Sequence, residues 1–422
     1  MLEFGPLIDR ADEKAAVAAL PESMTAKSRL LFVALSLDVG GAERHLASVL
    51  PELSRRGWPV TLFCMNRLGI FADDVQKAGV DVIGPPRERI AGRQTRFGRI
   101  AAATRAGARL HRIMRQLRPG VAHFFLPEPY LIGAPMALLQ QVPVCIMSRR
   151  GLNYYQSNWP GAAAIERRLH PRMTAVLANS RRVVENLVAE GCKREKIGLI
   201  YNGVALEGLE RGVDRAAVRR ALDIAPDAVV ALVVANLIPY KGHADLLRGL
   251  GLVRDRLPSG FRVVCIGRDE GARTSLEALT EQLGLRDMVS FLGVRNDVAD
   301  LLGASDMSIL ASHEEGFSNA IIEAMAAGLP LVVTDVGGNA EAVVDGETGI
   351  VVPARDPRRL GEAVRHLAGD ATVRAAFGLA GRRRAARHFT LSACVDQYEA
   401  VYHGLLAGKD IADLEAGQQT VG

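Results

Sequence analysis

Short apolar runs rich in Val, Ile and Leu recur along this chain, and longer stretches of helical periodicity separate them. That rhythm restricts the fold more than any other feature, because alternating strands and helices assemble into parallel sheets wrapped by helices. Seven runs fall in the first half: 29–35, 60–64, 80–83, 121–126, 144–147, 174–178 and 197–200. Six follow in the second: 229–234, 262–266, 289–292, 307–310, 331–334 and 349–352. Between the two sets, Asn202 to Val213 (NGVALEGLERGV) has the glycine content of a linker. At roughly 100–200 residues per domain, 422 residues hold two or three domains. The expected class is therefore α/β, with two facing Rossmann-like, doubly wound domains. Residues 1–202 form the first, 203–390 the second, and 391–422 a helix returning to the first and then a tail. The stretch from about Arg383 to Leu406 reads as helical, and residues 1–27 as a loose helix or tail. Such sheets bind ligands at the carboxyl ends of their strands, which puts the site in the cleft.

Three segments carry chemistry. Leu37 to His45 (LDVGGAERH) follows the first strand and opens a helix, and Gly40 and Gly41 let a backbone approach an anion at a helix N-terminus. It is not a G-x-G-x-x-G fingerprint, so no nicotinamide cofactor is expected. Val234 to His243 (VANLIPYKGH) places the Lys241 ammonium past the strand that opens the second domain, where it can neutralise a diphosphate. His313 to Val336 is the most specific segment. Glu315 and Glu323 flank Gly316, Phe317, Ser318, Asn319 and Ala320, one carboxylate in a loop and the other in the first turns of a helix that Ser318 or Asn319 would cap. Carboxylates there can grip sugar hydroxyls, while the helix N–H groups receive phosphate oxygens.

With those residues in view, the chain resembles the family-4 retaining glycosyltransferases of GT-B fold. The block E-G-F-S-N-A-x-x-E-A-M-A-x-G-x-P carries the likeness, with G-G-A-E-R, K-G, N-G-V and Leu292-Gly293-Val294-Arg295, from about Leu30 to Phe389. The resemblance implies transfer of a hexose-type unit from a UDP- or GDP-linked sugar to a glycan or lipid-linked acceptor, as in bacterial polysaccharide or lipopolysaccharide synthesis. It implies that Glu323 binds the ribose, Glu315 the donor sugar and Lys241 the diphosphate. By the same likeness Gly40 and Gly41 lie near the diphosphate, Val294 and Arg295 flank the base, and front-face attack retains the anomeric configuration. With no D-x-D motif in the chain, no metal or other cofactor is expected.

Two positions depart from the family pattern. Asn236 stands where members carry an arginine, a charge Arg268 could replace. His123-Phe124-Phe125 keeps only the first histidine of an H-x-H pair, so His123 is a catalytic candidate beside Lys241 and Glu315. Ser148-Arg149-Arg150 is a further candidate for the acceptor side. Competing readings are a nucleotide-sugar epimerase or phosphorylase, and a non-catalytic nucleotide-sugar-binding protein of the same fold.

Charge divides with the domains. Residues 1–202 carry 29 Lys and Arg against 17 Asp and Glu, and the remainder 23 against 30. Arg87 to Arg118 holds ten arginines and one acid, with Ile100, Leu110, Ile113, Met114 and Leu117 as an apolar side. This reads as a basic amphipathic helix for an anionic membrane surface, the alternative being an ordinary surface helix. Nucleic acid is not an expected partner, because aromatic stacking residues are scarce there. Five separated cysteines with no C-x-x-C pair fit a reducing compartment. With no leader pattern in the first 25 residues and no long apolar run, the expected place is cytoplasmic, peripheral on the inner face of the membrane.

Overall fold

A computed structural model describes residues 29–38, 40–85, 96–153, 156, 161–206 and 212–415. Seven strands form the first sheet: β1 (Leu30–Ala34), β2 (Val60–Cys64), β3 (Asp81–Ile83), β4 (Val121–Phe125), β5 (Val144–Arg149), β6 (Ala175–Ala178) and β7 (Ile197–Leu199). Six form the second: β8 (Val230–Val234), β9 (Arg262–Ile266), β10 (Val289–Gly293), β11 (Met307–Leu310), β12 (Leu331–Thr334) and β13 (Gly349–Val352). The orders are β3-β2-β1-β4-β5-β6-β7 and β10-β9-β8-β11-β12-β13, with parallel neighbours throughout. Helices cover both faces of a parallel sheet, so its strands need apolar side chains on both sides, which is why the runs read as continuous rather than alternating. In β1, Leu31 and Val33 enter the core on one face and Leu30 and Phe32 the core on the other. Full burial contributes about 1.5–3 kcal/mol per aliphatic side chain. In each sheet the order reverses beside the first strand, between β1 and β4 and between β8 and β11, which opens the crevice where such folds take ligands.

The long C-terminal helical stretch is two helices rather than one. Ala371–His388 ends at Phe389, and Thr390 starts Leu391–Leu406 by accepting a hydrogen bond from the Ala393 N–H. The first packs on the second domain through Ala385 and Phe389, whereas Cys394, Val395, Tyr398, Val401 and Tyr402 of the second enter the core of the first. The chain thus crosses between domains twice, and the crossings lie side by side: Val204 N–H donates to Phe389 O at 3.0 Å and Leu391 N–H to Val204 O at 2.9 Å.

The arginine-rich stretch is also corrected. Residues 86–95 lie outside the described part, and the helix is Arg96–Leu117. Its Leu110, Ile113, Met114 and Leu117 are buried in the domain core, so this apolar side is occupied and cannot enter a bilayer. Arg109 is buried too, donating to Gly84 O at 2.6 Å and lying over the Phe63 ring. Arg105, Arg112 and Arg115 are exposed. Among the described residues no helix is long and apolar enough to cross a membrane. Residues 1–28 and 416–422 lie outside the description.

Candidate active site

The carboxyl ends of β1, β8 and β11 face one cleft of about 470 Å³ between the sheets. It brings together Gly40, Gly41, Asn236, Lys241, Arg268, Val294, Arg295, Glu315, Gly316, Phe317, Ser318, Asn319, Ala320 and Glu323. Beyond β1, Gly40 is the N-cap of the helix Gly41–Arg55 and no side chain caps it. Beyond β8, Lys241 closes a short helical turn, Pro239–Lys241. Beyond β11, the loop through Glu315 enters the helix Asn319–Ala326, which carries Glu323. Ser318 stands at its N-cap but makes no side-chain hydrogen bond, so the expected cap is absent and the first-turn N–H groups stay uncapped beside the cleft.

Lys241 and Glu315 form the central ion pair, Nζ to Oε1 at 2.6 Å, and Ser312 Oγ donates to the same oxygen at 2.7 Å. Burial works against the Lys241 charge, but neighbouring Glu315, aided by Tyr240 and Glu314, outweighs it and raises the pKa above the ordinary lysine value. The ammonium therefore stays charged. Burial raises the Glu323 carboxyl above the ordinary range, with Arg44 opposing part of that rise. Asn236 spans a gap, donating to Glu270 Oε1 at 2.9 Å and accepting from the Arg268 N–H at 3.1 Å. Arg268 reaches the cleft and pairs with Glu270, while Arg295 pairs with Asp297. Val294 is 54% exposed at the mouth.

His123 is placed elsewhere. It is fully buried, and its Nδ1 and Nε2 lie 2.8 Å from Tyr402 Oη and from Ser148 Oγ. Burial, reinforced by the Arg150 charge, holds it neutral. It links β4 to the helix Leu391–Leu406 and is not among the residues lining the cleft. The departure at Phe125 has the same cause, since that ring packs against His45, Phe32 and His123 in the core.

Arg150, an acceptor-side candidate from the sequence, lines the cleft, and other cleft residues escaped the sequence reading as site residues. Arg150 donates to Asn202 Oδ1 at 2.6 Å and Tyr398 Oη at 3.2 Å, and its buried Nε has no partner. Asn202, read as linker, donates to Phe317 O at 3.1 Å and Asn319 Oδ1 at 2.5 Å, and Asn319 donates to Gly41 O at 3.3 Å. These bonds tie the two domains across the cleft floor. Gly316 is required there, because a Cβ on it would meet Arg150 O at 2.2 Å. Leu126, lining the cleft after β4, holds φ 72° and ψ 163°, a region almost reserved for glycine. Only the position of Leu126 just past a strand end hinted at a site.

Comparison with known proteins agrees with this fold. The family model Glycosyltransferase Family 4 matches residues 39–207, and Glycosyl transferases group 1 matches residues 214–384. The chain is 27% identical over 400 residues to a D-inositol 3-phosphate glycosyltransferase of Corynebacterium diphtheriae, covering 89% of this chain and 92% of that protein. It is 32% identical over 224 residues to the protein of that name from Streptomyces avermitilis, covering 50% of this chain and 47% of that one. Among solved structures, Anabaena HepE in complex with UDP and glucose matches with a TM-score of 0.77 at 20% identity, over 89% of this chain and 100% of that one. The sucrose-phosphate synthase of Thermosynechococcus elongatus matches with a TM-score of 0.76 at 19% identity, over 90% and 100%.

Proposed function

The chain belongs to the family-4 glycosyltransferases of GT-B fold, and from that premise we propose that it moves a sugar from a nucleoside diphosphate sugar to a hydroxyl acceptor with retention at the anomeric carbon. The observation that carries the reading is the convergence, in one cleft, of the Lys241–Glu315 pair, Glu323 and an uncapped helix end.

The barrier lies in breaking the bond between sugar and phosphate, so charge growing on the departing diphosphate must be stabilised. Lys241, Arg268 and the helix N-termini at Gly41 and Asn319 supply that potential, in the part a divalent cation would otherwise take. Glu323 accepts from the ribose hydroxyls, and Glu315 accepts from the donor sugar while holding Lys241 in place. The acceptor oxygen attacks from the face the diphosphate leaves, and its proton passes to a phosphate oxygen of the leaving group. Closure over the paired crossings at Val204 and Thr390 excludes water. The donor is UDP- or GDP-linked; the names of the UDP complexes of HepE support the former.

The acceptor is a glycan or lipid-linked glycan, with the enzyme drawn to an anionic cytoplasmic membrane face by Arg105, Arg112 and Arg115. A second reading is a free phosphorylated polyol. Arg150, with an unpartnered guanidinium nitrogen on the acceptor side, favours it, as do the names of the curated relatives. A thermal-shift panel of UDP and GDP sugars identifies the donor, because binding to the folded state raises its apparent stability. The anomeric proton of the product, followed by NMR with each acceptor class, then tests retention. An inverted product overturns the mechanism, and no response to any donor overturns the site.

A further inference from the structure

Glu43 lies in the first turn of the helix Gly41–Arg55 and lines the cleft. Its side chain folds back over the helix start. A Cβ placed on Gly40 would stand 2.1 Å from Glu43 Oε2 and 2.9 Å from Cδ. Gly40 has φ −177°, an extended conformation open to any residue, so what a side chain there would meet is the flexible end of Glu43 and not a backbone restriction. What fills the space is a carboxylate. Gly40 at the N-cap has no side chain to cap this helix, the Glu43 carboxylate accepts from its own backbone N–H, and this N-terminus is where an anionic ligand gains most from the N–H groups and the dipole. Asp38, on the loop after β1, faces Glu43 with like charge, and Arg268, across the cleft, with opposite charge.

We propose that the Glu43 carboxylate is the resident anion of this helix end, and that a nucleoside diphosphate binds by displacing it. The inference rests on the reading of the cleft as a donor site and adds a residue that sets donor affinity. Two anions cannot share the turn without repulsion, so the diphosphate enters as Glu43 swings away. Glu43 thereby weakens the affinity for free nucleoside diphosphate, the product that must leave after each transfer.

Isothermal titration of UDP, GDP and ADP into the full chain tests this, with wild type, Glu43→Gln and Glu43→Ala compared and uridine, guanosine and adenosine as uncharged controls. Removing one like charge from the diphosphate site should tighten the diphosphate that wild type binds by roughly 10-fold in both variants, leaving its nucleoside unchanged. Should one variant fail to fold, the other decides. Unchanged or weaker diphosphate binding, or equal tightening of the nucleoside, overturns the role of Glu43 while leaving the donor reading intact. Failure of wild type to bind any of the three diphosphates overturns the donor reading itself.

Discussion

Arg44 of the first domain reaches across the cleft to Glu323 of the second, its Nη1 3.3 Å from Oε1. Glu323 is the carboxylate proposed for the donor ribose, so a side chain of the opposite domain holds a proposed ligand contact. The arginine side chain is 40% exposed and that of Glu323 13%. Solvent screening keeps such a pair near 1 kcal/mol or below.

Arg44→Ala should therefore shift the ligand-free balance toward an open arrangement, by about 5-fold if the pair contributes about 1 kcal/mol. Small-angle scattering reads this as a larger radius of gyration without nucleotide. A donor or nucleoside diphosphate that closes the cleft should abolish the difference, and identical scattering of the two ligand-free proteins would refute the latch.

Lys241→Ala removes the one ammonium among the described residues of the cleft and leaves Glu315 without its cation. Turnover should fall by about 100-fold or more, the loss expected when a group that stabilises a leaving anion is deleted. Steady-state kinetics should show a larger loss in kcat than in donor KM, since the ribose contact proposed for Glu323 is untouched.

Outside the cleft lining Glu341 spans the domains, accepting from the Arg181 N–H at 2.9 Å, the Arg182 N–H at 3.3 Å and Tyr201 Oη at 2.8 Å. It completes the N-terminus of the helix Arg181–Ala189, which Ser180 already caps through the Val183 N–H. Glu341→Ala should cost about 1 kcal/mol and lower Tm by about 2–4 °C. Differential scanning calorimetry checks this.

His243 is buried with neither ring nitrogen partnered, and burial, with the Lys241 charge adding, lowers its pKa to about 4. The unfolded chain takes up a proton near pH 6.5 and the folded chain does not until about pH 4, so stability is complete above 6.5 and falls as the pH drops through that window. By pH 5 this one site contributes a loss of about 2 kcal/mol. His170, also lowered to about 4 by burial, adds to the loss. Thermal melts at pH 7 and pH 5 should show His243→Leu losing less Tm than wild type.

The strands were legible because a parallel sheet needs apolar residues on both faces, and runs such as Arg262–Ile266 and Leu331–Thr334 have no other use. Lys241, Glu315 and Glu323 were legible because each sits at a fixed place around a strand end and a helix start. His123 misled because a histidine beside a strand end reads alike whether it faces the cleft or the core, and only the third dimension shows Tyr402 closing over it. The apolar stripe of Arg96–Leu117 has the same ambiguity between bilayer and core. Arg44 and Asn202 stayed hidden because their partners lie 279 and 117 positions away in sequence, in contacts that local pattern does not encode.

The most direct test of the account is release of nucleoside diphosphate from the donor found by thermal shift, followed with a glycan or lipid-linked glycan and with a phosphorylated polyol as acceptor for wild type, Lys241→Ala and Glu323→Ala. The account predicts acceptor-dependent release by wild type, a kcat loss for Lys241→Ala, and a donor KM increase for Glu323→Ala with a smaller change in kcat. Wild-type rates and donor KM in both variants would contradict it.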